Sequence, residues 1–426
     1  MFGMGKSKLK KAIEYGIAEG NLDDKIDELG DVSVKSVDDA EAVCWGLEQL
    51  GKEAPTELSK SVHALARLLE DADNDNLDVI ELLRERGLPQ LFRLYDRIAL
   101  VDDFAATDCL MSLLRIYALF NTEFGTAKII EAARKPLNPD GYMWSLVLGL
   151  FSDGHSHRKQ LFEALANPLP HGFIAVALLD SANKAAIADE DFVHPFDSPE
   201  GADRLRSWLR DVDPESYSYA HSAAAALPFI SEPVRSELSQ LAMDHPDAGV
   251  SIEAAWSAAK LGQQRGIAQL ARYACDVKTS IMACHYLTEL KREDAIPAEA
   301  QDPEFQARAE MVSWLAHPNE FGEPPDAIEK YDSRELYWPP TNDRRRVWLF
   351  KYRYAPNERR KKEDVGLGMV GSKTFALFSE NSADLSPIDA YALHCCWELE
   401  VNKDPRAPKK QSVAEGRKLL AEHNSL

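Results

Sequence analysis

Between Tyr217 and Ile296, small and apolar residues recur so regularly that stacked helices are the natural way to bury them. Val250, Ala254, Ala258 and Leu261 mark one helical stripe, and Gly262 stands where that helix must stop. Alanines on such a stripe let neighbouring helices approach towards the short end of the usual separation of about 8–10 Å. Segment 220–227 has the same character, and 276–290 has it again. With Tyr219, Val250 and Val277 as equivalent starts, the steps are 31 and 27 residues. A step of about 30 residues with two helices per step predicts an α-solenoid of antiparallel helix pairs.

The helical period runs upstream. Residues 38–51, 56–71 and 77–100 are patterned as helices, the first ending at Gly51 and the last split in two at Gly87-Leu88-Pro89. Segments 102–121 and 122–134 form another pair, and 141–151 is apolar nearly all round, which predicts burial. Further helices are expected over 156–167, 172–187, 199–211 and 215–230, with no strand before residue 340. Residues 1–35 read as a polar leader, with Lys6, Lys8, Lys10 and Lys11 on the solvated face of a frayed helix.

The segment Asp244–Ala274 resembles a HEAT-like repeat. Asp244 and Pro246 supply the turn, Val250 and Ala254 the first helix, and Leu261-Gly262 its end. Ser251 stands where the family pattern has arginine, and Asp276-Val277-Lys278 restores a basic residue in the next unit. The earlier pairs are similar to degenerate armadillo or HEAT units. The resemblance implies a mainly α chain, a solenoid over residues 36–316, and a surface used to bind other proteins. Some HEAT-like enzymes hold two irons with repeated His-Glu dipeptides, and this chain has no such dipeptide.

After residue 316 the composition changes. Pro318, Pro324, Pro325, Pro339 and Pro340 make 317–341 a proline-rich linker. Residues 342–426 read as a small α+β module docked at the end of the solenoid. Arg344–Ala355 is aromatic with interleaved basic residues and predicts a strand. A turn-rich stretch, 357–371, precedes a second strand over 372–378. A helix follows from Ser386, with Pro387 at its first position and Asp389 completing a capping box.

Charge and cysteine usage bound the partners. The 426 residues carry a formal net charge of −21, which opposes binding to a nucleic-acid backbone. The six cysteines sit inside apolar helical patterns rather than at disulfide-scaffold spacing. No apolar run reaches the roughly 18 residues of a membrane span. The opening residues lack the apolar core of an export signal. The expectation is a cytoplasmic protein that needs no cofactor and binds another protein without catalysis.

The competing expectation places a ligand site in the C-terminal module. Residues 341–373 hold ten basic residues against four acidic ones, with Trp338, Trp348, Tyr352 and Tyr354 interleaved or adjacent. Arg344, Arg345, Arg346, Lys351, Arg353 and Lys373 are the candidate residues for a small anionic or nucleotide ligand. The alternative is that these cations pair with carboxylates of the helical domain and hold the module in place. Gly366, Gly368 and Gly371 match GxGxxG, but a strand follows where a dinucleotide site needs a helix. They are read as a glycine-rich hairpin. Asp153, His155 and His157 have weak metal-ligand spacing and are expected to form an exposed turn. His394-Cys395-Cys396 and Cys284-His285 are read as packing residues, and no catalytic or metal site is assigned. The acidic pairs at helix junctions, Asp102-Asp103 and Asp189-Glu190-Asp191, are read as caps.

Overall fold

The structure, a computed structural model, describes residues 7–30, 32–50, 55–70, 72, 75–135, 137–357, 360–377 and 382–424, with the backbone alone at 55–57 and 382. The expected stop at Gly51, Lys6 of the leader and the last residue of the second strand, Phe378, lie outside the described residues. The chain is mainly helical, with a small C-terminal antiparallel sheet. Its contacts divide it into two compact units, one up to Leu238 and one from Ser239 on.

The first unit opens with α1 (Lys8–Glu19), α2 (Leu22–Asp27), α3 (Val37–Leu50) and α4 (Pro55–Glu70). The expected solvated leader is therefore a packed part of the fold. Leu9, Ile13, Leu22 and Ile26 are buried, and α1 lies against α2 and α3. Ser7 accepts the Lys10 N–H at 3.0 Å as the cap of α1. Apolar residues at four-residue spacing fix this outcome, and the surface lysines obscure it in sequence.

α5 (Leu77–Leu82) runs through a π-helical turn, 83–87, into α6 (Leu88–Ile98). No break occurs at Gly87-Leu88-Pro89: the backbone stays helical, and the π-turn before Pro89, where Leu88 N–H reaches Leu83 O, accommodates the proline. The unit continues with α7 (Phe104–Leu119), α8 (Glu123–Arg134), α9 (Met143–Leu148), α10 (Arg158–Leu165), α11 (Phe173–Ala188), α12 (Pro199–Arg210) and α13 (Tyr217–Ala225), and α14 (Val234–Met243) spans the division between units.

Alternate helices stack. α7 packs on α9, α9 on α11 and α11 on α13, while α8 packs on α10. The stacked helices are the most apolar. On α11, Ile174 to Leu179 are all buried, and on α9 Trp144, Val147 and Leu148 are fully buried. α12 has one apolar face, with Leu205 and Leu209 buried and its charged residues outside. Asp103 caps α7 by accepting the Ala106 N–H at 2.6 Å, as expected, whereas Asp189-Glu190-Asp191 follow the end of α11 and Ser198 caps α12.

The second unit contains α15 (Ala248–Lys260), α16 (Gln264–Ala274), α17 (Ser280–Glu289) and α18 (Pro303–Leu315). Asp247 caps α15 through Val250 N–H at 3.0 Å. Gly262 ends it at φ +76°, where Gln263 N–H reaches Ala258 O at 3.0 Å and Gly262 N–H reaches Ala259 O at 2.9 Å. These paired bonds satisfy carbonyls that the helix end leaves free, and the positive φ suits glycine. Ser251 is buried, with its hydroxyl 3.1 Å from His245 O and 3.3 Å from Asp247 O.

The sheet follows, in the order β1 (Ala327–Trp338), β2 (Asp343–Tyr354), β3 (Asp364–Val370) and β4 (Phe375–Leu377), all antiparallel. About half of the expected linker is thus a strand. Pro339 and Pro340 belong to the β1–β2 turn, where Trp338 O accepts from Asn342 N–H at 2.9 Å. β1 is charged because it is an edge strand, with ten of its twelve residues exposed or half-buried. The side chain of Asn424 covers that edge at Tyr337, accepting its N–H at 2.8 Å and donating to its carbonyl at 3.0 Å.

α19 (Pro387–Val401) and α20 (Val413–Ala421) complete the unit. One sheet face packs Phe350, Tyr352 and Tyr354 with Met311 and Leu315 of α18. The other packs Val347, Leu349, Leu367 and Met369 with Tyr391, Cys395 and Leu399 of α19. The sheet is the middle layer of three.

Candidate functional site

β2 decides the fate of the expected anion site. Successive side chains of a strand point to opposite faces. Arg344 and Arg346 share the parity of Phe350 and Tyr352, on the α18 side. Arg345, Lys351 and Arg353 share the parity of Val347 and Leu349, on the α19 side. Lys373 lies in the turn between β3 and β4. The six residues are therefore not gathered on one face. Arg345 is bound to Asp343 by two hydrogen bonds of 2.8 and 2.6 Å, which hold that carboxyl down at about 2. Arg353 reaches Glu363 at 3.4 Å, and the Arg346 guanidinium stands 5.7 Å over the Trp348 ring. The partners of Arg345 and Arg353 are carboxylates of the module itself, not of the helical domain.

The glycine motif has a packing explanation. Gly366 and Gly368 lie inside β3 rather than in a hairpin turn. A Cβ on Gly366 would sit 2.3 Å from the Tyr352 hydroxyl, and one on Gly368 would sit 2.4 Å from the Met311 sulfur. The missing side chains make room for Tyr352 and Met311 on the α18 face.

The opposite face holds a buried polar cluster. Glu398 and His394, one turn apart on α19, are both fully buried. The Trp338 indole N–H donates to Glu398 at 2.7 Å, and the Ser372 hydroxyl donates to its second oxygen. Burial pushes the His394 imidazole down to about 3, so it is neutral at pH 7 and 3.8 Å from Glu398 without forming an ion pair. Cys395 and Cys396 are both fully buried, and burial raises both thiols. Neither is a nucleophile in this state. The cluster joins the end of β1, the β3–β4 turn and α19.

His155 is buried rather than exposed. Its Nε2 bonds Ala118 O at 3.1 Å, and its Nδ1 accepts the His157 N–H at 3.1 Å. Among the described residues, no three His, Cys, Asp or Glu side chains are placed to hold a metal ion. No described helix is long and apolar enough to cross a membrane.

A concave site that the sequence did not suggest lies in the first unit. α10 and the connection 189–198 enclose a cleft of about 520 Å³, within the range of small-ligand and side-chain sites. Phe162 and Phe192 form one wall, edge to face with centroids 5.0 Å apart. Arg158 lies 5.8 Å over Phe192 and is paired with Asp189 at 2.5 Å. His194 is buried beside them. Its Nδ1 accepts the Phe196 N–H at 3.3 Å, which places the ring proton on Nε2, 3.1 Å from Asn183 Oδ1. Burial pushes His194 down to about 4, so it is neutral at pH 7. Asp197 accepts from Ser231 N–H at 2.9 Å and from its hydroxyl at 2.6 Å. Val193 is 85% exposed at the rim. The one available signal was the length of this connection and its apolar content, Phe192, Val193 and Phe196, which a solvated turn does not need.

No protein-family model, no curated protein and no solved structure matches this chain.

Proposed function

We propose that the chain is a non-catalytic protein-binding scaffold whose helices form a solenoid of HEAT-like pairs. The stacking of α7, α9, α11 and α13 supports the solenoid, as do the capped start and glycine end of α15. The binding function is carried by one observation. Large apolar side chains stand in water at several helix junctions of a strongly acidic chain. Leu100 is 81% exposed and Phe104 86% exposed at the α6–α7 junction, and Val193 is 85% exposed between α11 and α12. Tyr142, before α9, and Val212, after α12, are exposed as well. Single exposed apolar residues are ordinary, but their recurrence where helices join offers contact points that stacking does not require.

The test is affinity purification from the native organism with the wild-type chain and with Leu100→Asp/Phe104→Asp/Val193→Asp. A discrete partner held by the first and lost by the second, with unchanged thermal stability, is expected. Recovery of the same proteins by both, or of none, counts against the scaffold. The anionic-ligand reading has weaker support, since its six cations are split between two faces and a turn. A thermal shift with nucleotides or phosphate that Lys351→Ala removes would restore it.

A further inference from the structure

The cleft beside α10 has a chemistry of its own. Its cations are already matched. Arg158 is paired with Asp189 at 2.5 Å, and Lys159 lies 3.7 Å from Glu163. His194 adds no charge, because burial keeps it neutral. Two lining carboxylates remain, Asp191 and Asp197. Asp197 takes hydrogen bonds from the Ser231 N–H and hydroxyl and forms no ion pair among the described residues. Asp191 is exposed and forms no ion pair among the described residues. The cleft therefore combines an aromatic wall, an apolar rim at Val193 and two carboxylates without an ion pair among the described residues.

We infer that the cleft receives a lysine or arginine side chain from an extended basic segment of a partner protein. The alkyl stem would lie along the half-buried Phe192, the charged head would meet Asp191 and Asp197, and a neighbouring apolar residue would cover Val193. A long cationic side chain suits such a site because its stem is apolar and only its tip is charged. Aromatic faces add attraction for the cation. A chain with formal net charge −21 also draws a basic segment in before contact. This inference rests on the protein-binding reading and adds the partner's chemistry and the place where it is read.

The probe is a set of acetylated, amidated tripeptides, Leu-Arg-Leu, Leu-Leu-Leu and Leu-Glu-Leu, measured by saturation-transfer NMR on the full chain. Leu-Arg-Leu is expected to bind with a Kd on the order of 1 mM, as suits a ligand with few anchoring groups. Asp191→Asn should weaken it about three- to tenfold, and Lys159→Glu, which adds a negative charge at the mouth, should tighten it. Both side chains are exposed, so neither change threatens the fold. Raising the salt to about 0.5 M should weaken binding further. Equal or tighter binding of Leu-Glu-Leu overturns the inference, as does binding of Leu-Arg-Leu that neither variant changes. A partner captured by a chain that ignores all three peptides would leave the scaffold standing and remove this inference. Tripeptide binding without any captured partner would establish the cleft's preference for a cationic side chain but overturn the protein partner.

Discussion

Trp338 donates its indole N–H to Glu398 across 2.7 Å, and neither side chain touches solvent. A carboxylate without water depends wholly on the donors around it. Here Ser372 supplies the second, so three separate segments converge on one group. Glu398→Ala removes the acceptor and leaves the buried Trp338 N–H and the half-buried Ser372 O–H without it. The expected loss is about 2–4 kcal/mol of stability. Trp338→Phe should cost much less in the Glu398→Ala background than in the wild type. A double-mutant cycle by urea denaturation reads this coupling, and additive losses would refute it.

Gly266 marks a close helix approach in the second unit. A Cβ there would meet the Ala255 carbonyl oxygen and the Ala259 nitrogen, each at 2.4 Å. The obstacle is helix backbone, which cannot yield as a side-chain tip would. Gly266→Ala should therefore force α16 away from α15 and cost about 1–3 kcal/mol, despite alanine's better helix propensity. Gly→Ala at an unobstructed helical site would instead gain stability. A rise in the denaturation midpoint for Gly266→Ala would show that the close approach does not exist.

These two sites differ in how far they could be read in sequence. The α15–α16 pair was legible because its cap, alanine stripe and terminal glycine are local signals within about 30 residues. β1 was not, because five prolines flank a strand whose charges follow from its place at the sheet edge. The division of the basic residues between two faces is visible in strand alternation alone. A count of local charge conceals it. The cleft beside α10 depends on contacts between α10 and a connection some 30 residues later, of which the apolar content of that connection was the one local trace. One recurrent device went unread. In His155, His194, His245 and His317, Nδ1 accepts the N–H two residues on, at 3.1 to 3.3 Å. Three of these four are His-Pro pairs at helix junctions.

The glycines of β3 give a graded test of their packing role. Gly368→Ala would drive a methyl group into Met311 at 2.4 Å, and Gly366→Ala into the Tyr352 ring and hydroxyl at 2.3 to 2.9 Å. At Gly371 the nearest atom, a Val347 methyl, lies 3.2 Å away. The expected order of destabilisation puts Gly366→Ala and Gly368→Ala ahead of Gly371→Ala, with losses of about 1–3 kcal/mol for the first two. Met311→Ala should relieve Gly368→Ala in part, since it empties the obstructed space. Thermal melts of the single and double variants give the comparison, and an absence of any rescue would contradict the contact.

His155 and His194 should make the first unit sensitive to acid. Burial lowers each imidazole to about 4 in the folded chain, against about 6.5 when unfolded. A base with a depressed folded value leaves its full contribution in place above the unfolded value. That contribution is lost as pH falls from about 6.5 towards 4, because the unfolded chain takes up protons that the folded chain refuses. The geometry gives the reason. A proton on Nδ1 would face the N–H of His157 or Phe196, which now donates to that nitrogen. Each histidine accounts for up to about 3 kcal/mol across that window. Urea midpoints should therefore fall between pH 7 and pH 5 for the wild type. The fall should be shallower for His194→Gln and shallower still for His155→Gln/His194→Gln. Parallel pH profiles for all three chains would show that neither imidazole is held neutral by the fold.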